Sequence, residues 1–360
     1  MVMRPLGLQV LAWVPGSLDY VLQARPKYLK TLVANRSVLE SISYEIPDMH
    51  VTYRHYADLG TQQRLLADPI AGAREFASVV LADIDPAREC IGACESLNET
   101  GLWNDADRYS LWTAEYARIM RAEGMPTIAY NFSTGTPSGY FTGSGDLYPD
   151  EFREGLRAYW AHYWDGLRES TYLGLHEYSA PTMQAGQSWL CLRYRRVWDI
   201  LPEDCRKPIM ITETGIDGGV IGRTPEQSGW RSFCSEGEYL RQLAWYTGEL
   251  AQDAYVVGSH IFHAGSMDPT WASFGLLGCN QIADYIRNQR EEPTMPDFSF
   301  GFRELHDSAP DVVGDATSEQ ITIPNVFSFQ LTTKGLLLYK AGSEPRAGDC
   351  KFFAQTLPLP

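Results

Sequence analysis

Two carboxylates each close a short apolar run. Cys90-Ile91-Gly92-Ala93-Cys94-Glu95-Ser96-Leu97 leads into Asn98-Glu99, and Ile209-Met210-Ile211-Thr212 leads into Glu213. Turn-forming residues follow each run at once, and a helix-like segment follows the turn. A carboxylate set into an apolar strand is costly unless it has a partner or a task. Where parallel strands close into a barrel, all their ends point to one mouth, so two such glutamates can face each other though far apart in sequence. A facing pair of carboxyl groups supplies the proton donor and the nucleophile or base that cleavage of a glycosidic bond needs.

The elements that must position this pair alternate along the chain. Strand-type runs are expected at 8–14, 27–33, 51–56, 90–97 (ahead of Glu99), 126–132, 172–178, 208–213 and 256–262. Helix-type segments separate them at 36–46, 71–81, 105–121, 151–164, 188–201 and 236–250, with Asn104 or Asp105 as the cap of the third and Leu111, Tyr116, Ile119 and Met120 as its apolar stripe. Eight strands alternating with helices predict a closed parallel sheet, the α/β (β/α)8 barrel, over residues 1–290. A long Gly/Ser/Thr-rich loop at 133–149 is of the kind that overhangs a barrel mouth. After about residue 290 the pattern changes. Pro293, Pro296 and Pro310 break any helix, 321–329 alternates as a strand, and Thr332-Thr333-Lys334-Gly335 is a hairpin turn into Leu336-Leu337-Leu338-Tyr339. Residues 291–360 are therefore expected to form a small β extension packed on the barrel.

Composition narrows the function classes. A formal charge of −15 with no offsetting basic stripe argues against nucleic acid. Arg193, Arg195 and Arg196 cluster beside Trp189, Leu192 and Val197, as on the wet side of a helix. The 10 Trp, 20 Tyr and 14 Phe suffice for a large core and supply flat rings for stacking on sugars. Seven cysteines form no paired CxxC motifs. Cys90 and Cys94 fall on one expected strand, too extended to bridge, so free thiols and a reducing compartment are expected. No apolar run reaches the ~18 residues of a membrane span. The run at 6–14 is short and contains Gln9, which suits synthesis without classical export; a leader already removed would leave the same trace. His260 and His263 lie in no ligand cluster, so no metal is expected, and no phosphate-type glycine motif follows the first strand, so no nucleotide cofactor is either.

Other residues fall at expected strand ends. Arg54 and His55 end the third strand, where alternation lets only one face the axis; Arg54 is the choice, to orient Glu213 or Glu95. Glu95 itself fits either a support beneath the site or a buried salt bridge with an arginine. His176 fits a hydrogen-bonded barrel residue or a sugar contact. Tyr130-Asn131, Trp13, Trp103 and Trp271 sit at strand or loop mouths and together suggest a substrate groove, with Asn131 and Trp271 taken as sugar-binding candidates.

These motifs resemble a known group. Glu95-Ser96-Leu97-Asn98-Glu99 is similar to the fourth-strand signature of clan A glycoside hydrolases, and Ile211-Thr212-Glu213-Thr214-Gly215 is similar to their seventh-strand signature. His176-Glu177-Tyr178 resembles the clan's sixth-strand end, whose aromatic residue hydrogen-bonds the nucleophile. The resemblance covers roughly residues 6–275. It implies a retaining mechanism in which Glu99 is the acid/base, Glu213 the nucleophile, Asn98 a donor to the sugar 2-hydroxyl, and Tyr178 the group that holds Glu213. Thr100 stands where many members have Pro, and Phe262-His263 ends the eighth strand without the common Trp, for which Trp271 is the expected substitute. The activity implied is a glycosidase cutting β-linked oligo- or polysaccharide, with endo action suggested by the long fifth-strand loop. A lysis-type enzyme of bacterial wall glycan keeps the same residues, and a non-catalytic carbohydrate-binding barrel is the alternative outside enzymes. Neither the sugar nor the oligomeric state follows from these residues.

Overall fold

In the computed structural model, described over residues 6–101, 103–137, 150–186, 189–289, 321–323, 327–331, 335–340 and 350–354, eight parallel strands close into a barrel in sequence order. They are Leu6–Val10 (β1), Tyr28–Thr31 (β2), His50–Tyr53 (β3), Ala93–Glu95 (β4), Thr127–Phe132 (β5), Tyr172–Ser179 (β6), Ile209–Ile216 (β7) and Val256–Ile261 (β8). Pairing of Leu6 with Ser259 and of Leu8 with Leu29 joins β1 to both neighbours and seals the ring. The fold is a (β/α)8 barrel, as the alternation predicts.

Among the described residues, ten α-helices connect and cover the strands: Ser17–Ala24 (α1), Arg36–Glu45 (α2), Leu59–Ala67 (α3), Pro69–Ile84 (α4), Ala106–Ala122 (α5), Asp150–Trp160 (α6), Trp164–Glu169 (α7), Tyr194–Ile200 (α8), Glu236–Leu250 (α9) and Asn280–Asn288 (α10). The helix expected at 71–81 is α4, which starts earlier because the Asp68 side chain caps Ala71 N–H and Pro69 occupies the first turn; α3, which precedes it, has no counterpart among the expected helices. On α5 the buried face is Tyr109, Trp112, Tyr116 and Met120, while Leu111, expected in that stripe, is half exposed. Asp105 precedes α5 without a side-chain cap bond. Residues 189–193 form turns rather than the first half of a helix, leaving only α8 from the segment expected at 188–201.

Burial of β1 on both faces, as in any covered parallel sheet, accounts for the near-continuous apolar strands. Buried polar side chains on these strands include Gln9, Lys30, Glu95, His176 and Glu213, which meet around the site. No helix among the described residues is long and apolar enough to cross a membrane, and Cys90, Cys94, Cys191, Cys205, Cys234 and Cys279 are free. Cys90 ends a 3-10 turn at Asp85–Cys90 rather than sharing a strand with Cys94.

The chain divides into two units, Met1–Arg290 and Glu291–Pro360. The second holds a four-stranded antiparallel sheet of Ile321–Ile323 (β9), Phe327–Leu331 (β10), Gly335–Lys340 (β11) and Cys350–Ala354 (β12), in the order β12-β11-β10-β9. The single strand expected at 321–329 is thus two strands, and β12 has no counterpart in the sequence reading. The hairpin turn at 332–334 lies outside the described residues, but Leu331 pairs with Leu336, as a tight connection between β10 and β11 requires.

Candidate active site

Strand β7 carries Glu213 to the C-terminal mouth of the barrel. Leu175 pairs with Ile211 but His176 pairs with Glu213, so β7 holds one extra residue there. Such a bulge re-aims the side chains beside it, and Glu213 turns inward with a side chain only 9% exposed. Two residues on, Gly215 has φ +148, and a Cβ there would lie 2.7 Å from the Tyr239 hydroxyl, so a side chain at this position would be strained and crowded.

Glu213 is gripped at both oxygens. Oε1 accepts from Arg54 Nη1 at 2.9 Å, from Lys30 Nζ at 3.1 Å and from Gln9 Nε2 at 3.2 Å. Oε2 accepts from the Tyr178 hydroxyl at 3.0 Å and lies 3.6 Å from His176 Nδ1. Burial alone raises a carboxyl pKa, but here the charges of His176, Lys30 and Arg54 outweigh it and hold Glu213 well below the usual carboxylate range. Glu213 is therefore an anion with fixed orientation.

Glu99 reaches the site differently from the expected strand-end placement. Strand β4 stops at Glu95, and Glu99 sits in the following loop with φ 51. Tyr130 and Asn131, at the end of β5, also have positive φ, 73 and 46. Each such non-glycine residue costs of order 1–3 kcal/mol and persists only where its surroundings fix it. The fixing network is visible: Glu99 N–H donates to Asn131 O, and Tyr130 N–H donates to Ser96 Oγ at 2.7 Å. The Tyr109 hydroxyl of α5 lies 2.7 Å from Leu97 O and 3.1 Å from Tyr130 O, tying both strand ends to one helix. The loop delivers Glu99 Oε1 to 2.7 Å from His176 Nδ1, with 42% of the Glu99 side chain exposed. One imidazole nitrogen thus faces both glutamates.

Arg54, Asn98, Glu99, Tyr178, Glu213 and Trp271, all expected at the site, line one cavity of about 630 Å³. Trp271 stands edge-on to Phe262 at 5.5 Å, so the aromatic surface beyond β8 comes from both residues. Other expected residues are elsewhere. His176 is fully buried and absent from the cavity wall; it is a bridge beneath the two glutamates rather than a sugar contact. Asn131 is also fully buried, its amide 3.4 Å from Ser96 Oγ, because its left-handed backbone turns it away from the mouth. Tyr130 packs in the core against Tyr109 and Phe132. Trp13 donates to Val33 O and is not part of the wall. The side chain of Trp103 lies outside the described residues. Arg54, not His55, turns inward; His55 Nδ1 lies 2.6 Å from Asp83 on the outer side.

Sequence reasoning missed Lys30, Gln9, Asp217, Tyr56 and Trp189. Lys30 is fully buried and pairs with Glu95 at 3.0 Å as well as with Glu213, so the partner of Glu95 is a lysine from β2, not an arginine. A charged residue inside the apolar run at 27–33 was the available signal. Lys30→Met is expected to destabilise the protein by about 3–5 kcal/mol, since it strands the buried Glu95 carboxylate; chemical denaturation measures this. The same change relaxes Glu213. A carboxyl whose folded pKa is depressed adds stability above its unfolded value, near ~4.3, and loses it as pH falls toward the folded value. The acid side of the stability profile should therefore be shallower below about pH 4.3 in Lys30→Met than in the parent.

No family model matches this sequence, and no curated protein sequence does. Among solved structures, the β-glucuronidase of Ruminococcus gnavus aligns with a TM-score of 0.52 at 12% identity, over 81% of this chain and 50% of that one. The β-glucuronidase of Faecalibacterium prausnitzii aligns with a TM-score of 0.50 at 14% identity, over 83% and 50%. A GH128 endo-β-1,3-glucanase of Amycolatopsis mediterranei aligns at 0.44 and 14% identity, over 79% and 98%. This chain spans about half the length of the two glucuronidases. What it shares with the two glucuronidases is the parallel eight-stranded barrel fold.

Proposed function

We propose that this protein is a retaining β-glycoside hydrolase that cuts an oligo- or polysaccharide by double displacement. One observation carries the reading: Glu99 and Glu213 converge on a single nitrogen of His176, at 2.7 and 3.6 Å, in a cavity at the barrel mouth. Those contacts limit the separation of Glu99 Oε1 and Glu213 Oε2 to about 6.3 Å, which admits the ~5–5.5 Å of a retaining pair.

In this mechanism a Glu213 oxygen attacks the anomeric carbon while Glu99 gives its proton to the departing glycosidic oxygen. Water then donates a proton to the Glu99 carboxylate and attacks the same carbon, releasing Glu213. Lys30, Arg54 and Gln9 hold Oε1, and Tyr178 holds Oε2, so little reorganisation is needed as charge moves. Asn98 lines the cavity beside Glu99, where its side chain is taken as a contact for a sugar hydroxyl. Tyr56 and Met267, exposed side chains of the cavity wall, suit contact with further sugars of a chain, which supports endo action. The β-glucuronidases of like fold make a uronic acid one candidate sugar, and the charges of the cavity weigh against it.

A panel of β-linked polysaccharides assayed for new reducing ends tests the activity. Turnover of at least one is expected. Binding without release of reducing ends from any would instead support a carbohydrate-binding barrel.

A further inference from the structure

The described wall of the cavity has an unbalanced charge. Glu99, Glu213, Asp217 and Asp268 line it, and Arg54 is the one cation among its described lining residues. Arg54 is engaged with Glu213 at 2.9 Å, and Lys30 lies below the wall, fully buried between Glu95 and Glu213. The segments 138–149 and 187–188, which adjoin the wall in sequence, contain no lysine or arginine. No cation on the described wall is left to meet a ligand's carboxylate.

Asp217 is the acidic residue best placed to act on a ligand. It follows β7 immediately, is half-buried, and fixes its side chain by accepting from Gly219 N–H at 2.7 Å. Burial raises its carboxyl pKa, the Gly219 N–H opposes this, and the nearby Glu99 and Glu213 raise it further. A ligand ammonium there would relieve the repulsion, and a ligand carboxylate would add to it.

Building on the glycoside hydrolase reading, we propose that the cavity selects sugars by charge, preferring an amino sugar over a neutral one and rejecting a uronic acid, with Asp217 setting the preference. Three 4-nitrophenyl β-glycosides, the glucosaminide, the glucoside and the glucuronide, test this on the full chain at pH 6 and low ionic strength. Binding is read by ligand-observed NMR and nitrophenolate release is read separately. The expected affinity order is glucosaminide, glucoside, glucuronide, with at least about tenfold between the first and the last, narrowing in high salt. Asp217→Asn keeps an oxygen for Gly219 N–H but removes the charge, and should shrink that span by about tenfold while the melting temperature stays close to the parent's. Binding in the expected order without release of nitrophenolate would support the charge selection and overturn the hydrolytic reading. Equal or tighter binding of the glucuronide, binding of none of the three, or an unchanged order and span in a folded Asp217→Asn would overturn the charge selection itself.

Discussion

Glu213→Gln is expected to lower kcat on every substrate by about 10⁴-fold or more, equivalent to roughly 5.5 kcal/mol of barrel-mouth chemistry. The amide keeps the size of the carboxylate and an oxygen for Lys30, Arg54 and Gln9, but it cannot form a glycosyl ester. Lys30 retains Glu95 at 3.0 Å, so the buried charge that remains is still paired and the fold should persist. Steady-state kinetics on an aryl glycoside and on the natural polymer measure the loss. A loss of less than about tenfold would remove Glu213 from the covalent step, because a residue that only positions a sugar acts mainly on binding.

Glu99→Gln should divide substrates by their leaving groups. On a polysaccharide, whose departing alkoxide needs a proton, kcat/KM should fall by about 10²–10⁴-fold. With a dinitrophenyl glycoside the departing phenolate needs none, so the first step survives and a burst of phenolate should precede a slow second step. The position of Glu99, 42% exposed in a loop rather than clamped in a strand, suits a group that must meet both leaving oxygen and incoming water. Equal, small losses on both substrates would give Glu99 another task.

Strand count and order were legible because each buried parallel strand is an apolar run bounded by Gly, Pro or Asp. The two glutamates were legible for the complementary reason, that a carboxylate closing such a run has to be explained. The boundaries were less so: Glu99 lies beyond a strand of only three residues, and its placement depends on the positive φ at residues 99, 130 and 131, which no pattern of residue types announces. That same backbone turn makes Asn131 a buried residue, although its position at the end of β5 suggests a groove contact. Lys30 was hidden because its partner Glu95 is on β4 and its other partner on β7, a relation that exists only once the barrel closes. Asp217 was hidden because a residue after a strand looks like any loop aspartate until the cavity is seen. His176 was legible only in part. Its strand was evident, but its place between the two carboxyls depends on the bulge between β6 and β7.

The stereochemistry of the first-formed product tests the account most directly. An aryl β-glycoside or β-linked oligosaccharide that the protein cleaves is to be followed by proton NMR in the first minutes, before mutarotation mixes the anomers. Attack by Glu213 followed by water inverts the anomeric carbon twice, so a β-anomer is expected as the initial product. An initial α-anomer would contradict it, since a single displacement by water would then be the reaction and Glu213 a base rather than a nucleophile.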